Sequence, residues 1–343
     1  MQKKLPTIKE IAKRLNISVS TVSRALHEHP SIGLRTRMRV QQLAKELNYE
    51  PNQRAIFFQQ SKTFTIGVLL PELSEAFFSS AISGIEDAAH KRDYTVLLAQ
   101  SHDDEEREKK ILETMKKHRV DGVLMSLGKN ISNYDHIHNL KNYGIPVVFF
   151  DRIPKLFNIH YVIADVQAGT KEAVDFLLKK GHRKIGMING PETLLASHQR
   201  VQGYIDAFQK HRLKFDPLFI FSSNLTAQNT EEAMEHLLSL KRKPTAIVTF
   251  NDYVALDAIK YAKKMHLEIN KDISFVSFAN LPFIHYLDSP PLASVEQYPY
   301  LQGEKATEIL LGLIAADIDE ENSETVSYQK IVVQPKLVVF EEE

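Results

Sequence analysis

The chain has 343 residues, 43% of them hydrophobic and 25% charged, and contains no cysteine. That length suits two or three domains with a large buried core, and the missing thiols exclude disulfides, thiolate nucleophiles and cysteine-based zinc sites. No apolar run approaches the length of a bilayer span, and the opening "MQKKLPTIKE" carries no apolar leader segment, so a cytoplasmic protein is expected. The formal net charge of +0 conceals an asymmetry: residues 1–62 hold 12 Lys/Arg against 4 Asp/Glu, which leaves the remainder acidic. A basic N-terminal unit on an acidic body points to a polyanion at one end and a different partner elsewhere.

Thr7 precedes "IKEIAKRL", with Glu10 three residues on. This is the spacing of a capping box, in which the Thr7 hydroxyl and Glu10 carboxylate each satisfy an orphan N–H. Ile8, Ile11, Ala12 and Leu15 form the apolar stripe of that helix. Asn16, which tolerates left-handed backbone, ends it. Ser18 is placed to cap a second helix, "VSTVSRALH", with Val22, Ala25 and Leu26 inward and Ser20 and Arg24 sharing the opposite face. A third helix, roughly 34–48, turns Val40, Leu43, Ala44 and Leu47 inward and carries Arg35, Arg37 and Arg39 near its start. A plain three-helix bundle has similar periodicity. The tight turn, the short lengths, the basic charge and the exposed Ser/Thr/Arg set favour a helix-turn-helix, whose second helix enters a DNA major groove.

The stretch "TIKEIAKRLNISVSTVSRALHEHPSIGLRTRMRVQQLAKELNYEPN" resembles the headpiece of the lactose-repressor/galactose-repressor family of bacterial transcriptional regulators. The resemblance implies that Val19, Ser20 and Arg24 read bases and that Thr21 and Ser23 contact phosphates. Asn16, His27 and Gly33 stand where the family usually has Gly, Asn and a Ser cap. An apolar contact from Val19 and a short hydroxyl at Ser20 specify little, so the operator sequence stays open. After "YEPN" the family forms a short hinge helix that wedges an apolar residue, usually leucine, into the minor groove. Counting from "PN" places Phe58 at the wedge and Ala55 on the same face, with Phe57 left for packing.

From Thr65 short β-branched apolar runs alternate with amphipathic helices: "TIGVLLP", "TVLLA", "DGVLMS", "IPVVFFD", then "KIGMING", "LFIFS", "TAIVTF" and "ISFVSFA". Repeated strand–helix units with continuous apolar strands mean parallel sheets covered on both faces. Two doubly wound lobes are expected, and the resemblance implies the α/β two-lobed core of periplasmic binding proteins behind the all-α headpiece. The expected boundaries are 1–50 for the headpiece and 51–64 for the hinge. The first lobe takes 65–163 and 293–325, and the second 164–292 and 326–343.

Catalytic signatures are missing: there is no G-x-G-x-x-G, P-loop, G-x-S-x-G or H-E-x-x-H. No enzyme activity, cofactor or metal is expected. Asp103, Asp104, Glu105 and Glu106 open a helix ending in Lys/Arg, where they complement its dipole. In open α/β folds ligands bind outside the carboxyl ends of the strands. There, or facing the same cleft, stand Phe77, Phe78, Asp151, Arg152, Asn189, Arg200, Asn251, Asp252, Asn280 and Gln297. Singly each reads as a cap, a core residue or a surface charge. The resemblance implies that Asp151, Arg200, Asn251 and Gln297 surround a small effector, commonly a sugar or sugar derivative, sometimes a nucleobase. Where many sugar-responsive members carry an acidic pair, this chain has "SFAN", with Ala279 in place of the first acid. The expected protein is a homodimeric repressor on palindromic double-stranded DNA, controlled by that effector. The alternative is a two-lobed binding protein of the transport type without DNA function.

Overall fold

The computed structural model describes residues 6–50, 62–129, 131, 133–316 and 327–340. The hinge positions Ala55 and Phe58 lie outside them. The chain divides into two units, Met1–Thr63 and Phe64–Glu343.

In the first unit, α1 (Ile8–Leu15) and α2 (Val19–Leu26) flank the tight turn, and α3 (Leu34–Glu46) follows. Asn16 takes the left-handed conformation at φ 53° and ψ 46°. The Ser18 hydroxyl accepts a hydrogen bond from the Thr21 N–H at 3.0 Å. Ile11, Val22, Ala25 and Val40 form the buried centre, with Ala12 and Ala44 beside them. The capping box at Thr7 does not form. Thr7 makes no side-chain cap bond, and Glu10 pairs instead with Arg14 at 2.6 Å. A charge-assisted contact one turn along the helix competes better than a neutral backbone donor.

In the second unit, one sheet runs β11-β5-β4-β3-β1-β2 and the other β12-β10-β9-β8-β6-β7. The first is built from β1 (Thr65–Leu70), β2 (Thr95–Gln100), β3 (Gly122–Met125), β4 (Val147–Phe150), β5 (His160–Ala164) and β11 (Lys330–Val333). Helices α4 (Ala76–His90), α5 (Glu105–Lys117), α6 (Asp135–Asn142) and α11 (Pro299–Ala316) accompany it. The second comprises β6 (Ile185–Asn189), β7 (Ile220–Ser222), β8 (Ala246–Thr249), β9 (Ser274–Phe278), β10 (Ala293–Glu296) and β12 (Lys336–Val339). Its helices are α7 (Val166–Lys179), α8 (Leu195–Lys210), α9 (Ala227–Ser239) and α10 (Asp252–Lys264).

The central strands are buried along their length, which is why they read as unbroken apolar runs. On α4, Phe77, Phe78, Ala81, Gly84, Ile85, Ala88 and Ala89 face inward. The helix crosses α11 with backbone touching backbone: a Cβ on Gly84 would sit 2.1 Å from the Tyr300 carbonyl oxygen, and one on Gly303 2.2 Å from that of Ala81. Only glycine permits that approach.

Two expected boundaries are corrected. The stretch 293–325 was expected wholly in the first lobe, yet β10 pairs with β9 and β12 in the second sheet, and the return begins at α11. The stretch 326–343 was expected wholly in the second lobe, yet β11 pairs with β5 in the first sheet and only β12 joins the second. Gln334 and Pro335 separate these two strands. Proline cannot extend the ladder, so the chain changes sheets there. The link is too short for a helical crossover, and β12 runs antiparallel to β10.

Candidate functional site

Between the lobes, at the carboxyl ends of the strands, lies a cleft of about 840 Å³, its open mouth included. Phe77, Phe78, Asp151, Arg152, Arg200, Asn251 and Gln297, all expected from the sequence, line it. Phe77 and Phe78 meet edge to face, with ring centroids 5.4 Å apart. They belong to the first lobe's core as well as to the cleft wall.

Asp151 follows β4 in left-handed backbone (φ 58°), a conformation aspartate accepts better than most residues. Burial pushes its carboxyl up from the usual range, against the pull of Arg152, Arg200 and the Ser126 hydroxyl. Arg152 stands 3.8 Å from Asp151 and 3.3 Å from Asp103. Asn251 caps α10, its side-chain oxygen accepting from the Val254 N–H at 2.9 Å. Its amide N–H groups are therefore what it can offer a ligand. Gln297 is buried where the chain crosses from β10 to α11.

Arg200, on α8, is the most constrained group. Its side chain is 3% exposed, and its guanidinium carbon lies 4.3 Å from the Phe250 ring centre and 3.9 Å from that of Phe278. Its Nε and Nη1 are buried and have no hydrogen-bond partner among the described residues. Burial lowers its pKa, and Asp151 opposes that. A buried charge with idle donors is expensive unless something else fills them.

Three expected residues serve the scaffold instead. Asp252 is wholly buried; it accepts hydrogen bonds from Ser277 Oγ, from Ser294 Oγ at 2.9 Å and from the Leu281 N–H at 2.6 Å. It ties the turn 279–281 to α10 and offers a ligand nothing. Asn280, at φ 47°, gives its side-chain N–H to Glu296 at 3.0 Å and its backbone N–H to Ser294 at 2.9 Å. Asn189 donates to the Ser197 carbonyl at 3.0 Å and so braces the start of α8. Conversely, sequence reasoning missed Glu75, Gln199 and Tyr253, which line the cleft. Burial raises the Glu75 carboxyl, with Arg152 opposing. Its place just before Phe77 and Phe78 was the signal available. Ala279, at φ 95°, gives the cleft an apolar wall where an acid was missing from the motif.

Asp252 yields a pH prediction. Burial outweighs its three donors and pushes the carboxyl up to about 6, whereas the unfolded chain keeps the ordinary 3.8. The native state therefore takes up the proton first as pH falls. The resulting stabilisation is complete below pH 3.8 and lost as pH rises through about 6, roughly 3 kcal/mol across the window. Asp252→Asn should lower stability by losing one acceptor, yet remove this slope. Urea titrations of both proteins between pH 4 and 7 check it, and parallel curves would refute it.

The first unit presents a different surface. Along α2, Val19 is 41% exposed, Ser20 and Arg24 are exposed, and Thr21 and Ser23 are half-buried. Val22 and Ala25 point into the core, which forces this polar set outward together. The Ser18 hydroxyl lies 2.8 Å from those of both Ser20 and Thr21. Hydroxyls and backbone N–H groups thus gather at the positive end of a helix, suited to phosphate.

Known proteins are similar to this chain in architecture and in sequence. Residues 63–335 match the model of periplasmic binding proteins and the sugar-binding domain of the LacI family, and residues 7–52 match that of bacterial regulatory proteins of the lacI family. The transcriptional repressor CytR of Escherichia coli K12 is 31% identical over 310 residues, 90% of each chain. Catabolite control protein A of Priestia megaterium is 30% identical over 335 residues, covering 97% of this chain and 98% of its own. The Lac repressor dimer bound to operator and the anti-inducer ONPF shares the fold at a TM-score of 0.80 and 22% identity, over 98% of each chain.

Proposed function

The chain belongs to the LacI family of bacterial regulatory proteins, and we propose that its effector is a sugar or sugar derivative held in the cleft by Arg200. It is a DNA-binding transcriptional regulator whose core takes a small-molecule effector. The relatives are regulators, not enzymes. We read it as a repressor that binds a palindromic operator as a homodimer. Val19, Ser20 and Arg24 read bases, Thr21 and Ser23 hold phosphates, and Ala55 and Phe58 sit at the minor groove.

The observation that carries the effector reading is the Arg200 guanidinium, buried between Phe250 and Phe278 with Nε and Nη1 unmatched. Its planar fork suits a pair of ligand oxygens. The same cleft is lined by the carboxyls of Asp151 and Glu75, acceptors for ligand hydroxyls, and by the amides of Asn251 and Gln297. Phe77, Phe78 and Ala279 leave one apolar wall against which a ring can lie. Closure of the lobes around the ligand shifts their positions across the dimer and so changes DNA affinity.

A thermal-shift screen of sugars, sugar acids and nucleobases, followed by a low-salt gel shift on the DNA upstream of the gene, tests both halves. A sugar or sugar-acid hit and a salt-dependent shift are expected. Stabilisation by nucleobases alone would overturn the effector class, and failure to bind any upstream fragment would overturn the regulator's site.

A further inference from the structure

Among the described residues three chain crossings join the lobes: β5 to α7, β10 to α11 and β11 to β12. They gather at the edges formed by β5 with β11 and by β10 with β12. The opposite edge strands are β2 and β7. On that side the Ala76 N–H points across at the Tyr253 hydroxyl at 3.5 Å, and Lys129 reaches from the first lobe to the second. Lys129, after β3, donates from Nζ to the Asn224 carbonyl at 3.2 Å, and its own carbonyl accepts from the Thr193 hydroxyl. Thr193 follows β6 and Asn224 follows β7, so a single residue grips two loops of the other lobe.

An exposed lysine would ordinarily contribute little, because holding a long side chain in one geometry costs rotamer freedom. Lys129 differs in being held. Its backbone N–H donates to Asp103 Oδ1 at 2.8 Å, and its Nζ lies 3.4 Å from Asp103 Oδ2. The neighbouring Gly128 N–H points at Glu108, a wholly buried carboxylate that also meets His136 at 2.8 Å. The loop is thus fixed by two carboxylates, and the Lys129 side chain is 22% exposed.

From there a polar chain runs inward. Asp103 pairs with Arg152 at 3.3 Å, and Arg152 stands 3.8 Å from Asp151, with Phe78 beneath its guanidinium at 5.6 Å. Asp151, Arg152 and Phe78 line the cleft. We propose that Lys129 is a clasp holding the two lobes together at the side of the cleft away from the crossovers, coupled to the effector pocket through Asp103, Arg152 and Asp151. A ligand that draws on Arg152 or Asp151 shifts how firmly Asp103 holds Lys129, and with it the balance between open and closed lobes. The coupling rests on the cleft being the effector site; the clasp itself does not.

The absence of cysteine permits a direct test. Spin labels at Lys110→Cys on α5 and Gln228→Cys on α9, both exposed, report the distance between lobes without effector or DNA. Lys129→Met should lengthen and broaden the distribution at an unchanged melting temperature, and Thr193→Val should do so from the other lobe. Lys129→Arg, which keeps a charged donor, should restore part of the wild-type distribution. A wild-type distribution in both Lys129→Met and Thr193→Val would overturn the clasp. Asp103→Asn should open the lobes as Lys129→Met does, and the double variant no further. Additive opening would overturn the coupling. None of these outcomes bears on whether the cleft binds a sugar.

Discussion

Arg200→Met makes the ligand-free protein more stable, not less, and weakens its hold on the effector. Arg200 is 3% exposed and its Nε and Nη1 have no hydrogen-bond partner among the described residues, so the fold carries a buried cation, stacked on Phe250 and Phe278 and attracted by Asp151, with two donors unfilled. Methionine fills a similar unbranched volume between Phe250 and Phe278 without it. Leaving a buried polar group unmatched costs about 1–3 kcal/mol, so a gain of that order is expected, reduced by lost attraction to Asp151. Hydrogen bonds to a charged group contribute roughly 1.5–3 kcal/mol each, so effector affinity should fall by at least tenfold. Thermal unfolding and calorimetric titration check the two effects. A destabilised Arg200→Met protein that still bound ligand would show that Arg200 serves the core rather than the site. Stability given up at a binding residue is the usual signature of function.

Arg24→Ala separates base reading from phosphate holding. Arg24 is exposed on the outward face of α2, four residues after Ser20. If it reads a base edge, alanine costs about 1–3 kcal/mol per half-site, and the loss falls on operator DNA alone. Affinity for scrambled DNA, and the slope of log affinity against log salt, should barely move. Thr21→Ala or Ser23→Ala should instead weaken both DNAs alike. Anisotropy titrations at several salt concentrations distinguish the patterns. Equal losses on operator and scrambled DNA for Arg24→Ala would reassign it to the backbone.

The headpiece was readable because its signals are local: Asn16 at the turn, Ser18 at the cap and the inward pair Val22 and Ala25 lie within ten residues. The capping box failed because Arg14, one turn along, competes for Glu10, and spacing alone cannot rank two partners. In the cleft, strand ends located the right neighbourhood but not the direction of each side chain. Asn251 and Asp252 are adjacent, yet one lines the cleft and the other is buried beneath it. A turn's geometry decided that, and sequence pattern carries no turn geometry. Lys129 gave no signal at all, since its partners at Thr193 and Asn224 lie 64 and 95 residues away. The closing strands were recognisable as strands, but pairing is non-local, and only Pro335 hinted at the change of sheet.

The central claim is that occupancy of the cleft governs DNA affinity. The direct measurement titrates operator DNA with the wild-type protein, with and without a saturating ligand from the thermal-shift screen. Operator affinity should change by roughly 5–150-fold, and bound operator should change the ligand's affinity by the same factor. Arg200→Met should need at least tenfold more ligand to show either effect. A ligand that occupies the wild-type cleft and leaves operator affinity unchanged would contradict the account.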